Sequence, residues 1–185
     1  LEQTGAGSIE TMTDAEKAAL TDADWVKGYE TNAGNPVSTQ KLFSGLKRYG
    51  INTIRLAMYT NKSEGYGPDA VNKVREGVKY ATELGMYVII DWHILNDGNP
   101  NQHKSEAKKF FTKMSKKYGG QKNVIYEICN EPNGCSWTSI KSYATHVIKV
   151  IRKYDKKAII VVGTPTWSQL GSDGTHNEVA NSPIK

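Results

Sequence analysis

Four short apolar segments recur along this chain at nearly constant spacing, and a helical pattern separates each from the next. They begin at Ile51, Met86, Val124 and Ala158, so the intervals are 35, 38 and 34 residues. One strand followed by one crossover helix fills an interval of this size. Strands with this little polar alternation are typical of a parallel sheet that is covered on both faces. The spacing therefore predicts an α/β fold with a parallel sheet.

The helices between these strands are marked by apolar residues every three or four positions and by glycines at their ends. The predicted strands cover residues 51–58, 86–92, 124–130 and 158–163. The predicted helices cover residues 37–49, 69–84, 105–118 and 136–154, with Ser38 as the first N-cap. The polar stretch 1–36 contains no convincing strand, and Trp25 to Thr31 is its best candidate. We therefore separate a polar segment, 1–36, from a βα domain, 37–185.

Two architectures satisfy this order, a closed eight-stranded barrel and an open doubly wound sheet. No G-x-G-x-x-G or phosphate-binding loop follows a strand, which disfavours a dinucleotide-binding sheet. A complete barrel has about 250 residues, whereas this chain has 185 residues and four predicted strands. The chain is therefore expected to form part of a barrel.

Charge and cysteine content exclude several other classes of protein. The net charge is +5, but the densest lysines, Lys104 to Lys117, alternate with apolar residues at helical spacing. That pattern favours a solvated helix face over a nucleic-acid surface. No apolar run approaches the roughly 20 residues that cross a bilayer. Cys129 and Cys135 are too few for a zinc site, and two free thiols are favoured over a short-loop disulfide.

Polar and aromatic residues gather where the predicted strands end. The strand ends carry Arg55 to Tyr59, Asp91 to His93 and Asn130 to Asn133, and Thr166 to Gln169 follow the last strand. Active sites of βα barrels form at the carboxyl ends of the strands, and open sheets bind ligands there too. We therefore predict a ligand site at this edge, with no metal ligand set and no cofactor.

Individual residues in this set have open interpretations. Glu131 is either a functional carboxylate or a solvated loop residue, whereas Glu127 is expected to be a paired structural carboxylate. Arg55, within an apolar strand, requires a buried anionic partner, either a structural Asp or a functional carboxylate. His93 is a ligand contact or a hydrogen-bonded packing residue. A sugar would suit aromatic faces and hydroxyl-binding side chains; the candidates are Tyr59, Trp92, Trp167, Gln169, Asn96 and Asn133.

Two segments make the chain similar to a known family. The runs Y-V-I-I-D-W-H-I-L-N-D-G-N-P-N and N-V-I-Y-E-I-C-N-E-P-N-G resemble family-five glycoside hydrolases, specifically bacterial endo-1,4-β-glucanases, or cellulases. The strand N-T-I-R-L-A-M-Y-T and the loop T-P-T-W-S-Q resemble the same group. The resemblance implies a partial (β/α)8 TIM barrel in which the predicted strands correspond to the second to fifth.

The resemblance also implies a chemistry, hydrolysis of internal β-1,4-glucosidic bonds with retention in a secreted bacterial enzyme. Glu131 matches the family's acid/base, Asn130 the residue that holds the sugar 2-hydroxyl, and Arg55 the arginine that orients the nucleophile. His93 and Tyr59 match residues lining the cleavage subsite, and Trp167 matches a stacking platform. The family's nucleophile is a glutamate on the seventh strand, and nothing in this chain matches it. The chain alone is therefore expected to be inactive.

Two alternatives remain at this stage. The chain could be a non-catalytic glucan-binding remnant, because it keeps Trp167 and Tyr59 without the nucleophile. It could instead be a half-barrel that assembles with a complementary partner chain. A homodimeric enzyme is disfavoured, because a two-fold copy would place its second Glu131 on the eighth strand rather than the seventh.

Overall fold

The computed structural model describes residues 39–64, 66–170 and 178–184. The chain divides after Asn52 into two units, which are described separately. In the first unit, helix α1 spans Thr39–Arg48. It ends in a turn where Gly50 has a φ of +85°, a conformation that favours glycine. The predicted Ser38 cap and the candidate strand Trp25 to Thr31 lie outside the described residues.

The second unit alternates strands and helices as predicted. Its elements are β1 (Thr53–Tyr59), α2 (Ala70–Glu83), β2 (Tyr87–His93), α3 (Lys104–Tyr118), β3 (Val124–Glu127), α4 (Trp137–Arg152), β4 (Ile159–Val161), the helical turn α5 (Pro165–Ser168) and α6 (Glu178–Asn181). Two 3-10 turns lie at Lys62–Glu64 and Pro100–His103. The four strands form one parallel sheet in the order β1-β2-β3-β4. This order confirms the predicted parallel α/β fold.

Strand β3 is shorter than predicted and ends at Glu127 instead of Asn130. Beyond it the backbone turns out of the extended conformation, and Glu131 has a φ of +25°. Pro132 follows and has no N–H to donate to a neighbouring strand. The turn therefore separates Asn130 and Glu131 from the regular sheet while leaving them at its carboxyl edge.

One face of the sheet is covered by helices and forms the hydrophobic core. Val88, Ile90 and Tyr126 on this face are fully buried. An aromatic cluster joins the sheet to α3, with ring centroids of Trp92 and Phe110 5.4 Å apart and those of Phe111 and Tyr126 6.3 Å apart. Trp92 is therefore a core residue and not a sugar platform. The lysines of α3 lie on the other side of that helix, as its pattern predicts.

The opposite face of the sheet is only partly covered. The strand register places Arg55, Ile89, Ile125 and Ile159 in one row across it. The Ile159 side chain is 61% exposed and Val161 is 41% exposed, although both are apolar strand residues. In a closed βα barrel this face is the packed interior.

We expect the isolated chain to self-associate through the exposed apolar residues of β4 on this face, because apolar strand residues in water favour association. Sedimentation velocity should show a weight-average sedimentation coefficient that rises with protein concentration. Replacing both Ile159 and Val161 by Ser should reduce that rise. Leu170→Ser is the matched control, since Leu170 is equally exposed, at 60%, but lies outside the sheet. A monodisperse monomer with one cooperative unfolding transition would contradict the prediction.

Two further observations concern the cysteines and the helices. Cys129 and Cys135 are free thiols, and burial raises the pKa of the Cys129 thiol strongly. Across residues 39–64, 66–170 and 178–184, no helix is long and apolar enough to cross a bilayer.

Candidate functional site

An arginine–carboxylate pair lies on the partly covered face of the sheet and joins β1 to β3. Arg55 on β1 donates from Nε to Glu127 Oε2 at 2.7 Å and from Nη2 to Glu127 Oε1 at 2.8 Å. This bidentate geometry is the strongest that a guanidinium and a carboxylate can form. The hydrogen bond to Glu127 is the largest effect that raises the pKa of Arg55, with Asp91 and Glu131 adding to it. Glu127 is therefore a paired carboxylate, as predicted.

A second carboxylate, Asp91 on β2, lies beside this pair and is completely buried. Its Oδ2 atom is 2.9 Å from Arg55 Nη2 and 2.6 Å from His93 Nδ1. Burial raises the pKa of Asp91, and the hydrogen bond from His93 and the charge of Arg55 oppose that rise. Arg55 therefore has two anionic partners, a glutamate on β3 and an aspartate on β2.

The side chain of Asn130 extends this network toward the carboxyl edge of the sheet. Its Oδ1 accepts from Arg55 Nη2 at 2.8 Å, and its Nδ2 donates to the carbonyl of Ile94 at 3.0 Å. The same Nδ2 lies 3.4 Å from His93 Nε2. Tyr59 packs edge-on against the His93 ring, with centroids 4.6 Å apart. Four residues predicted from sequence thus meet in one cluster, two from β1, one from β2 and one from the turn after β3: Arg55, Tyr59, His93 and Asn130.

Glu131 is the next residue after this cluster and is half-buried. The backbone around it is held from two sides, by Asn130 N donating to Trp92 O at 3.2 Å and by Trp167 N donating to Pro132 O at 3.1 Å. Its left-handed φ is uncommon for a residue with a side chain and is maintained by these contacts. Glu131 is therefore fixed at the carboxyl end of β3, next to Asn130.

The loop after β2 is tied to the loop after β3. Asn133 N donates to Gly98 O at 2.9 Å, and a Cβ on Gly98 would come within 2.6 Å of Asn133 O. Asp97 in the same loop is buried and accepts from Thr60 Oγ1 at 2.6 Å and Leu95 N at 2.8 Å. Only glycine permits the close backbone approach at position 98.

Trp167 lies in the turn after β4, and the residue is 51% exposed. Thr166, Trp167 and Ser168 all have left-handed φ values, from 55° to 64°. Such residues each cost about 1–2 kcal/mol, and hydrogen bonds to Thr164, Thr166 and Pro132 oxygens hold the turn. The backbone of this turn contacts Pro132, the residue after Glu131, and Trp167 itself is exposed.

Two predicted contact residues lie outside the network. The side chains of Asn96 and Gln169 are exposed. Asn96 is held through its backbone N–H, which donates to Glu64 Oε1 at 2.9 Å. Asn96 lies in the loop after β2, and Gln169 lies just after the helical turn that follows β4.

Sequence reasoning did not assign a role to Asp91. The available signal was its position two residues before His93, which places both side chains on the same face of a strand. In the part of the chain that the structure describes, no group of three or more His, Cys, Asp or Glu could hold a metal ion.

The parallel βα order, with a carboxylate, an asparagine and an arginine at the carboxyl edge of the sheet, is the arrangement expected of part of a βα barrel. The family model for cellulases, glycosyl hydrolase family 5, matches residues 14–185. The chain belongs to this family, which confirms the resemblance seen in its sequence.

Relatives of known name agree with this assignment. An endoglucanase from Clostridium saccharobutylicum is 54% identical over 127 residues, covering 66% of this chain and 28% of the relative. Endoglucanase A from Evansella cellulosilytica is 53% identical over 136 residues, covering 71% of this chain and 28% of the relative. The chain therefore spans less than a third of these relatives.

Solved structures are similar in fold. The catalytic domain of Thermobifida fusca endoglucanase Cel5A matches with a TM-score of 0.73 and 38% identity over 80% of this chain and 50% of that chain. A variant of the same domain has been solved in complex with cellotetraose. The described fold thus corresponds to part of the barrel in these domains.

Proposed function

We propose that this chain is part of an endo-1,4-β-glucanase that hydrolyses internal bonds of cellulose and related β-glucans with retention. The observation that carries the proposal is the position of Glu131. Its carboxylate follows Asn130 at the carboxyl end of β3, beside the network of Arg55, Asp91 and His93. A half-buried carboxylate beside hydrogen-bonding side chains suits a group that gives a proton to a leaving oxygen.

In this mechanism Glu131 is the general acid and then the general base. It protonates the glycosidic oxygen while a second carboxylate attacks the anomeric carbon, and it later removes a proton from the water that releases the sugar. Asn130 holds the sugar 2-hydroxyl, Arg55 orients the nucleophile, and His93 and Tyr59 line the cleavage subsite. These roles follow from the match of each residue to the family pattern.

We infer that the nucleophile is not supplied by this chain. A retaining glycosidase needs its two carboxyl groups about 5–5.5 Å apart. Asp91 is completely buried against His93 and Arg55. Both carboxylate oxygens of Glu127 accept hydrogen bonds from Arg55. Neither carboxylate is available to attack a sugar that lies at Glu131. A segment corresponding to the family's seventh strand would supply the second carboxylate.

The substrate is inferred from the surface around Glu131. Trp167 offers an apolar face to a pyranose ring, and exposed Gln169 and Asn96 offer hydrogen bonds to hydroxyls. No charge stands among these three side chains, which suits a neutral glucan. Cellulose is an insoluble polymer, so we propose that the enzyme is secreted and acts outside the cell.

A second candidate is a half-barrel that binds a complementary partner, and the exposed apolar residues of β4 on the partly covered face of the sheet favour it. Exposed Ile159 and Val161 on that face would pack inside a closed barrel. A third candidate, a non-catalytic glucan-binding remnant, would keep the Trp167 surface but have no role for Glu131.

Binding of cellotetraose to the 185-residue chain tests the substrate class. Trp167→Ala should weaken binding about tenfold, because stacking of a sugar on an indole is lost. Isothermal titration calorimetry, with mannotetraose as the competing sugar, measures the effect and the preference.

The matched control for this test is Tyr154→Ala, which removes another exposed aromatic ring from the loop after α4. Its affinity for cellotetraose should equal that of the unchanged chain. Equal affinity of the Trp167→Ala variant, or preference for mannotetraose, would argue against the proposed glucan site.

A further inference from the structure

Asp91 is the most deeply buried charged group of the site, and it has no role in the proposed mechanism. Its Oδ2 atom lies 2.6 Å from His93 Nδ1 and 2.9 Å from Arg55 Nη2, while its Oδ1 atom is buried and has no hydrogen-bond partner among the residues that the structure describes. A buried carboxylate is costly unless its contacts are needed. Its two contacts both lead to residues that surround Asn130.

The contact with His93 determines where the imidazole carries its proton. An ionised carboxylate only accepts hydrogen bonds, so at 2.6 Å the Nδ1 atom of His93 must be the donor. In a neutral imidazole the other nitrogen, Nε2, is then an acceptor. Asp91 therefore selects the Nδ1–H tautomer.

The opposite end of the network requires the same tautomer. Arg55 Nη2 can only donate and the Ile94 carbonyl can only accept, so the Asn130 amide has its oxygen toward Arg55 and its nitrogen toward Ile94. That orientation directs Asn130 Nδ2 at His93 Nε2, 3.4 Å away. An Nε2–H tautomer would place a donor against a donor.

We propose that Asp91 is a positioning residue of the sugar site, which holds His93 as the Nδ1–H tautomer and thereby keeps Asn130 aligned beside Glu131. The function of this alignment rests on the proposed glucanase activity, but the tautomer itself does not. Asn130 Nδ2 then donates both to the Ile94 carbonyl and to His93 Nε2, and His93 Nδ1 donates to Asp91 Oδ2. Removing Asp91 frees the imidazole to change tautomer, and an Nε2–H form would turn the contact between His93 and the Asn130 amide from favourable to unfavourable.

The tautomer can be measured directly in the 185-residue chain. Histidine-selective 15N labelling and two-bond 1H–15N correlation spectra at about pH 8.5, where imidazoles are generally neutral, distinguish the two forms. The chain has four histidines, so replacing each of the other three in turn by Gln assigns the His93 signals. We expect the Nδ1–H form for His93 in the unchanged chain. An Nε2–H form there would overturn the proposal without any variant at position 91.

Asp91→Leu removes the acceptor while keeping a side chain of similar size. The His93 signals should shift to a population that contains the Nε2–H form. The matched control is Asp97→Asn, which alters another buried aspartate, 3.4 Å from a different histidine, His103. That variant should leave His93 unchanged. His146, whose Nδ1 lies 2.7 Å from Ser142 O, should remain Nδ1–H in every sample.

Cellotetraose affinity then separates this proposal from the proposed function. Asp91→Leu should weaken binding about tenfold, the size expected for misaligned polar contacts. If the tautomer changes and the unchanged chain binds no cellotetraose, the glucan site is wrong while the Asp91 contact stands. If the unchanged chain binds and Asp91→Leu alters neither tautomer nor affinity, the positioning role is overturned.

Discussion

Glu131→Gln is expected to slow the cleavage of carboxymethyl-cellulose by about a thousandfold in a completed catalytic domain. The domain is completed by joining this chain to the remainder of the catalytic domain of the Clostridium saccharobutylicum relative, which is 54% identical over the aligned part. Glutamine has nearly the shape of glutamate but cannot donate a proton to the glycosidic oxygen. Release of reducing ends measures the rate.

An activated aryl cellobioside separates acid catalysis from a structural effect. Its leaving group needs little protonation, so the glycosylation step should slow by less than about tenfold in the same variant. Glu106→Gln, in the exposed first turn of α3, is the control that should leave both rates unchanged. Equal losses on both substrates at the glycosylation step would mean that Glu131 is structural.

The isolated 185-residue chain is expected to release no reducing ends from carboxymethyl-cellulose. We propose that this chain does not supply the attacking carboxylate, and without that group no glycosyl-enzyme can form. Asp91 and Glu127 are both held in the Arg55 network, and a proton donor alone does not complete the double displacement. The assay is the same reducing-end measurement, with the completed domain as the positive control.

This expectation would be contradicted if the isolated chain releases reducing ends and the Glu131→Ala variant does not. The nucleophile would then come from within the chain, and Glu127 and Glu178 would be the first to replace. A fluorosugar that traps the glycosyl-enzyme, followed by peptide mapping, would identify the attacking carboxylate. Turnover that persists in Glu131→Ala would indicate a contaminating glucanase.

Local sequence patterns were sufficient to predict the order of elements. Apolar runs at regular intervals, helical periodicity and terminal glycines predicted β1 to β4 and α1 to α4 to within three residues at each end. These signals are local, because the burial of a strand or of one helix face is indicated by the spacing of apolar residues that are close together in the sequence. The longer sequence motifs also placed the chain in its family, which the family model confirms.

The position at which β3 ends was not predicted correctly from local sequence patterns. Strand alternation continued to Asn130 in the sequence, but the ladder stops at Glu127, and Glu131 takes a left-handed φ. Its conformation depends on hydrogen bonds from Asn130 to Trp92 and from Trp167 to Pro132. Those partners lie more than thirty positions away along the chain, so no local pattern contains them.

The sequence by itself determined the parallel βα fold, the family and the edge of the sheet at which polar residues collect. Only the tertiary structure decided which of these residues pair. The register aligned Arg55 with Ile89 and Ala57 with Asp91 and Glu127, so that the guanidinium reaches both carboxylates. The tertiary structure also placed Trp92 in the core and brought Asp91 Oδ2 within hydrogen-bonding distance of His93 Nδ1. Pairing across strands depends on register and side-chain direction in three dimensions, and a single strand's composition does not specify them.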